Sequence, residues 1–153
     1  MTHLHIGDQA PIISGLDQSG QSVTFDRFAG QSIVLYFYPK DDTPGCTAEA
    51  CSLRDGCQDL LDAGYAVVGV SPDSVAKHGK FAEKFDLPFP LIADVDKTVI
   101  DAYGVWGPKK FMGREFEGVH RLTFVIDADR CISRIITQVN TKESAAQILE
   151  SAG

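Results

Sequence analysis

A chain of 153 residues, 44% hydrophobic and 23% charged, is long enough to bury one core without disulfide staples. Its formal charge of -7 comes from 14 basic and 21 acidic side chains, with no basic run longer than Lys109-Lys110, which argues against nucleic acid as a partner. No apolar span has the length of a membrane helix, and Met1-Thr2-His3-Leu4-His5-Ile6-Gly7 lacks the apolar stretch of a secretory signal, so the expected address is the cytosol, with no membrane contact.

In chain order, the turns Gln18-Ser19-Gly20-Gln21 and Phe28-Ala29-Gly30-Gln31 predict an N-terminal hairpin. Ser32 to Tyr38 is apolar on both faces and rich in aromatic and β-branched residues, as a central strand should be. A helix follows, with Thr43 suited to its cap, Pro44 to its first position and Gly64 to its end; Leu53, Cys57, Leu60 and Leu61 make its apolar face. Tyr65 to Val70 is the next strand, completing a β-α-β unit. Ser74 to Phe85 reads as a helix and Leu87 to Ile92 as a short strand that begins with prolines. Leu122 to Ile126 and Ile132 to Thr137 flank the turn Asp127-Ala128-Asp129-Arg130 as a hairpin. A last helix spans about Thr141 to Ser151, with Ala145, Ile148, Leu149 and Ala152 at helical spacing. Together these predict an α/β fold of thioredoxin-like type: one domain over residues 1 to 153, its mixed central sheet flanked by helices on both faces.

Four cysteines, at 46, 51, 57 and 131, form no Cys-x-x-Cys pair and no finger-like Cys/His spacing, which argues against a structural zinc site. His3 and His5 would share a strand face, but near a terminus they make a weak case for a metal. Cys46 stands apart, because it falls in the first turn of the helix that follows the central strand. There, unpaired backbone N–H groups and the helix dipole favour a negative sulfur. Ionisation alone gains only about thirtyfold in thiolate at neutral pH over an ordinary cysteine. Breaking an O–O bond also needs the peroxide held in line and the leaving oxygen stabilised by fixed donors. Thr43 can place a hydroxyl near the sulfur, and Arg121 opens a buried strand where a guanidinium usually faces an anion.

The run Pro39-x-x-x-Thr43-x-x-Cys46 resembles the active-site signature of the peroxiredoxins. Thr43-Pro44-Gly45-Cys46-Thr47-x-Glu49-Ala50-Cys51 is similar to the bacterioferritin comigratory protein, or peroxiredoxin Q, branch. Gly104-Val105-Trp106-Gly107, Phe111-Met112-Gly113 and His120-Arg121 through Ile126-Asp127 also resemble that branch. The resemblance implies that Cys46 attacks hydrogen peroxide or an organic hydroperoxide to become a sulfenic acid, that Cys51 resolves it, and that thioredoxin or a similar dithiol protein reduces the disulfide. It further implies that Thr43 and Arg121 contact peroxide and thiolate, that Pro39 shields the pocket and that Glu49 orients an arginine. No metal, haem or flavin is called for, and a resolving cysteine in the same chain favours a monomer. Where Arg130 stands the family more often has Gly, a departure that bears on local geometry.

Five residues along an ideal helix separate Cα atoms by about 8.7 Å, beyond the disulfide limit of about 7 Å. If Cys46 and Cys51 share one helix, its first turns must unwind before a bridge closes. Blander readings stand beside these. Thr43 can be only a cap, Glu49 only favourable charge near a helix start, Arg121 only a structural ion pair, and Arg54-Asp55 only a solvated pair. Cys57 reads as buried packing and Cys131 as structural. Trp106, Phe111 and Met112 can wall the pocket for bulkier hydroperoxides or simply belong to the core. Among other functions, a thioredoxin-type reductase would want cysteine where Glu49 stands, whereas a redox sensor or holdase could use the same disulfide as a switch.

Overall fold

The computed structural model describes residues 2–152, and side chains through residue 150. The N-terminal hairpin is short, β1 (Gly15–Leu16) pairing antiparallel with β2 (Ser22–Val23). The main sheet has the order β5-β4-β3-β8-β9, from β3 (Ser32–Phe37), β4 (Tyr65–Ser71), β5 (Leu91–Ala93), β8 (Leu122–Ile126) and β9 (Ile132–Ile136). β3, β4 and β5 are parallel, while β8 runs antiparallel to β3 and β9 antiparallel to β8.

The alternation of β3 divides the core in two. Ile33, Leu35 and Phe37 join Val68, Ile92 and Phe124 on one face, where the N-terminal segment and α4 (Thr98–Ala102) cover the sheet. Val34, Tyr36 and Tyr38 point to the other face, packed by α1 (Pro44–Asp55), α2 (Cys57–Asp62), α3 (Val75–Phe85) and α5 (Ser144–Ala152). Cys46 belongs to this second cluster. The expected mixed sheet with helices on both faces is what the chain builds.

Several local expectations need correction. The helix expected from Thr43 to Gly64 is two helices that break at Gly56, where a Cβ would come within 2.4 Å of the Ala145 Cβ on α5. Only a residue without a side chain lets α5 approach so closely. The break also turns Leu61 out to solvent and leaves Cys57 only partly buried. The strand expected from Leu87 starts at Leu91, because Pro88 and Pro90 have no N–H for a ladder. The last helix begins at Ser144, three residues after the expected start, and the packing of Ala152 lies outside the described residues. His3 and His5 share no strand face: the His3 ring lies against Gly104, and His5 is exposed beside Asp8.

A second hairpin, β6 (Trp106–Phe111) with β7 (Arg114–Val119), escaped the sequence reading. Its strands are mostly exposed and lack the alternation of a half-buried strand. The signal was in the turn, since Met112 and Gly113 both have positive φ, the conformation of a two-residue hairpin loop. Trp106 is partly buried against the core, whereas Phe111 and Met112 stand out at the tip, Met112 87% exposed. Arg130 sits at φ 68 and donates to the carbonyls of Phe28 and Gln31, tying the β8–β9 turn to the N-terminal segment. A glycine would adopt that φ more easily but could not make these bonds. Cys131, just before β9, makes an isolated antiparallel bridge to Gln9, a structural setting.

Candidate active site

The site forms at the C-terminal ends of the parallel strands, where a β-α connection brings a helix N-terminus to the end of the central strand β3. β3 ends at Phe37, and the chain passes through Pro39 and Thr43 into α1, which places Cys46 at its third position. Because β8 is antiparallel to β3 with Phe37 opposite Leu122, the residue just before β8 arrives beside the start of α1. That residue is Arg121.

Its guanidinium joins the expected residues. One Arg121 nitrogen lies 3.2 Å from the Cys46 sulfur and the other donates to Glu49 Oε1 at 2.6 Å. Cys46 is 1% exposed, the Glu49 side chain 0% and the Arg121 side chain 22%. Glu49 is therefore no solvated first-turn charge but one half of a buried ion pair, one helical turn beyond the sulfur. Its Oε2 has no hydrogen-bond partner, and burial pushes its carboxyl up to about 7 against the pull of Arg121. Burial also works against the Arg121 charge, but the sulfur and the carboxylate outweigh it and move its pKa up.

Thr43 occupies the N-cap position with extended backbone, yet its side chain makes no capping bond. Its hydroxyl donates instead to the Lys40 carbonyl at 3.0 Å. The first intrahelical bond runs from Thr47 N to Thr43 O, so the N–H groups of Gly45 and Cys46 stay unpaired within the helix. Gly45 also packs tightly on Arg121, since a Cβ there would lie 3.1 Å from its guanidinium. Pro39 is half-buried at the head of the loop. Cys51 lies on the same unbroken helix as Cys46, partly buried, and both thiols are free. The condition for unwinding set by the sequence is thus met.

Arg121 opens onto a cavity of about 440 Å³ that Lys109, His120, Leu122 and Thr137 help to line. Lys109 was missed by the sequence reading. Its ammonium donates to Val119 O, and burial, with Arg121 nearby, lowers its pKa. His120 is held by the Pro108 carbonyl at 3.0 Å. Arg54 pairs with Asp55 as expected and also donates to Phe85 O, which ties α1 to the end of α3.

A thiol, a guanidinium and a helix N-terminus at one point make a site for a nucleophilic sulfur and a polar oxidant. Residues 6–135 match the AhpC/TSA family. The chain is 46% identical to peroxiredoxin Bcp of Escherichia coli over 141 residues, 92% of this chain and 90% of that one. The chain belongs to the AhpC/TSA family, in its Bcp branch. A second peroxiredoxin Bcp, from Bacillus subtilis, is 41% identical over 97% of this chain and 94% of its own. Among solved structures, the peroxidoxin BcpB of Mycobacterium tuberculosis superposes with a TM-score of 0.85 at 34% identity, covering 98% of this chain and 97% of that one. The Xanthomonas campestris bacterioferritin comigratory protein, studied for its alkyl peroxide reduction activity, gives 0.86 at 29% identity over 99% and 97%. The fold is the thioredoxin-like fold of these peroxiredoxins. As a peroxiredoxin, the chain is a thiol-dependent peroxidase.

Proposed function

We propose that this peroxiredoxin reduces hydrogen peroxide and organic hydroperoxides by a two-cysteine cycle within one chain. The observation that carries the reading is the contact of Arg121 with both Cys46 and Glu49 at the start of α1. The Cys46 thiolate attacks one peroxide oxygen: an S–O bond forms, the O–O bond breaks, and the departing oxygen leaves as water or an alcohol after taking up a proton. Arg121 and the free N–H groups of the first turn are the donors available to the charge that develops on that oxygen, and the Thr43 hydroxyl joins them when it turns from the Lys40 carbonyl that it meets in the resting site. Pro39 limits the approach of water, and Glu49 holds the guanidinium in place. Alkyl hydroperoxides enter the proposal through the likeness to the Xanthomonas protein.

Cys51 then attacks the sulfenic sulfur, forming the S–S bond and releasing the oxygen as water. On an intact α1 the two Cα atoms are too far apart, so the step requires local unwinding. Two thiols of thioredoxin or a similar dithiol protein reduce the bridge, which suits a reducing compartment such as the cytosol. Each chain holds both cysteines, so a monomer completes the cycle. Peroxide consumption with a thioredoxin system, compared among wild type, Cys46→Ser and Cys51→Ser, tests the proposal. Many turnovers that vanish without Cys46 and lose thioredoxin support without Cys51 are expected. One oxidation per chain without turnover would instead make the protein a sensor.

A further inference from the structure

The loop between β3 and α1 is held by buried polar side chains that take no part in the sulfur chemistry. Asp41 is their centre. Its Oδ1 accepts from Tyr38 Oη at 2.6 Å, its Oδ2 meets His78 Nδ1 at 2.6 Å, and its backbone N–H donates to Asp73 Oδ2 at 2.8 Å. Asp73 accepts in turn from the Ser71 hydroxyl, and His78 Nε2 lies 3.0 Å from the Ile92 carbonyl. Tyr38 follows β3, Ser71 ends β4 and Ile92 lies in β5, so three strands anchor one loop residue.

The His78 side chain is 0% exposed and that of Asp41 6%. A carbonyl can only accept, so Nε2 carries a proton; the contact at Nδ1 then needs a further proton shared with the carboxylate. Contacts of this kind, sealed from water, are among the stronger ones a protein makes. Ligand atoms of Asp41, Asp73 and His78 also lie within 4.8 Å of one another. A cation reading fails on two counts. Both Asp41 oxygens and both imidazole nitrogens are already engaged, and in the adjoining cavity of about 240 Å³ the four cations Lys40, Lys77, Lys80 and Lys84 outnumber the three carboxylates Asp41, Asp42 and Asp73.

We propose that His78 is a positioning residue: through Asp41 it latches the loop that carries Thr43 to the sheet and so opposes the unwinding of α1. The inference rests on the two-cysteine cycle proposed above. Beyond Asp41 only two residues, Asp42 at φ 58 and the extended Thr43, precede the helix. A fixed Asp41 therefore keeps the first turn of α1 in register with Arg121. Once Cys46 is a sulfenic acid, two fates compete. In the unwound helix Cys51 forms the S–S bond and oxygen leaves as water. In the intact site the sulfenic sulfur attacks a second peroxide: an S–O bond forms, the O–O bond breaks, the other oxygen leaves as water or an alcohol, and the product is sulfinic acid. The latch sets the ratio.

The test uses His78→Gln, in which the longer amide can still reach Ile92 but not Asp41, and Tyr38→Phe, which removes one hydroxyl from Asp41. Amide exchange over residues 40–53 is measured on the reduced proteins, and mass spectrometry then compares sulfinic acid with the Cys46 to Cys51 disulfide across peroxide doses. Exchange about tenfold faster in this segment and sulfinic acid per turnover about tenfold lower are expected for His78→Gln, the equilibrium effect of one lost buried hydrogen bond. Tyr38→Phe should move both in the same direction and carries the test alone if His78→Gln does not fold. Folded variants with wild-type exchange, or with a lower Tm but the wild-type product ratio, would overturn the proposal. Absence of any Cys46 to Cys51 disulfide in wild type would overturn the cycle instead, and the exchange result would be read without it.

Discussion

Arg121 stands between two groups that compete for one positive charge, the Cys46 sulfur and the Glu49 carboxyl. With Glu49 fully covered and its Oε2 unpartnered, the carboxyl holds its proton up to about pH 7, whereas its ordinary value is 4.5. The folded state therefore binds this proton more tightly than the unfolded chain. The stability it confers is complete below about pH 4.5 and is lost as pH rises to about 7, a change of about 3 kcal/mol. In Glu49→Gln that slope is absent, so the variant should gain on wild type by about 3 kcal/mol between pH 4.5 and pH 8. Urea unfolding at both pH values checks this, and a difference that does not change with pH would count against it. At the residue scale, the nearness of Arg121 to Cys46 was legible because each stands at a position where a helix or strand begins. The burial of Glu49 was not. Its exposure depends on how α1 seats against the sheet, which no local pattern records.

The same limit appears among the elements. β3, β4 and β8 are buried on both faces and announced themselves as apolar runs. Helix α3 was placed to within a residue because Ser74 caps it, accepting from Lys77 N. The break between α1 and α2 was invisible, since its cause is a contact with α5 nearly ninety residues away. Gly56→Ala should therefore cost about 1–3 kcal/mol through overpacking against Ala145, despite alanine's better helix propensity. Equilibrium denaturation measures it, and a stabilised variant would show that the break is not set by that contact. The exposed hairpin β6–β7 was missed for a different reason. A strand pair that buries neither face carries no apolar period, and only its turn residues mark it.

At the scale of the whole molecule, the sheet separates two cores, and Cys46 belongs to one of them. The face carrying Phe37 and Phe124 holds the N-terminal segment and α4, while the opposite face holds Cys46 together with α1, α2, α3 and α5. The fold and the place of Cys46 at a helix start could be read from the chain, but the polar network around Asp41 could not, because His78 and Asp73 meet it only across the folded sheet ends. The proposed cycle requires that one chain close a bridge between two cysteines that its resting helix holds apart. Peptide mass mapping of the reduced protein after one equivalent of hydrogen peroxide, at dilution, tests it most directly. A Cys46 to Cys51 disulfide within single chains is expected; a persistent Cys46 sulfenic acid, or bridges only between chains, would rule the cycle out.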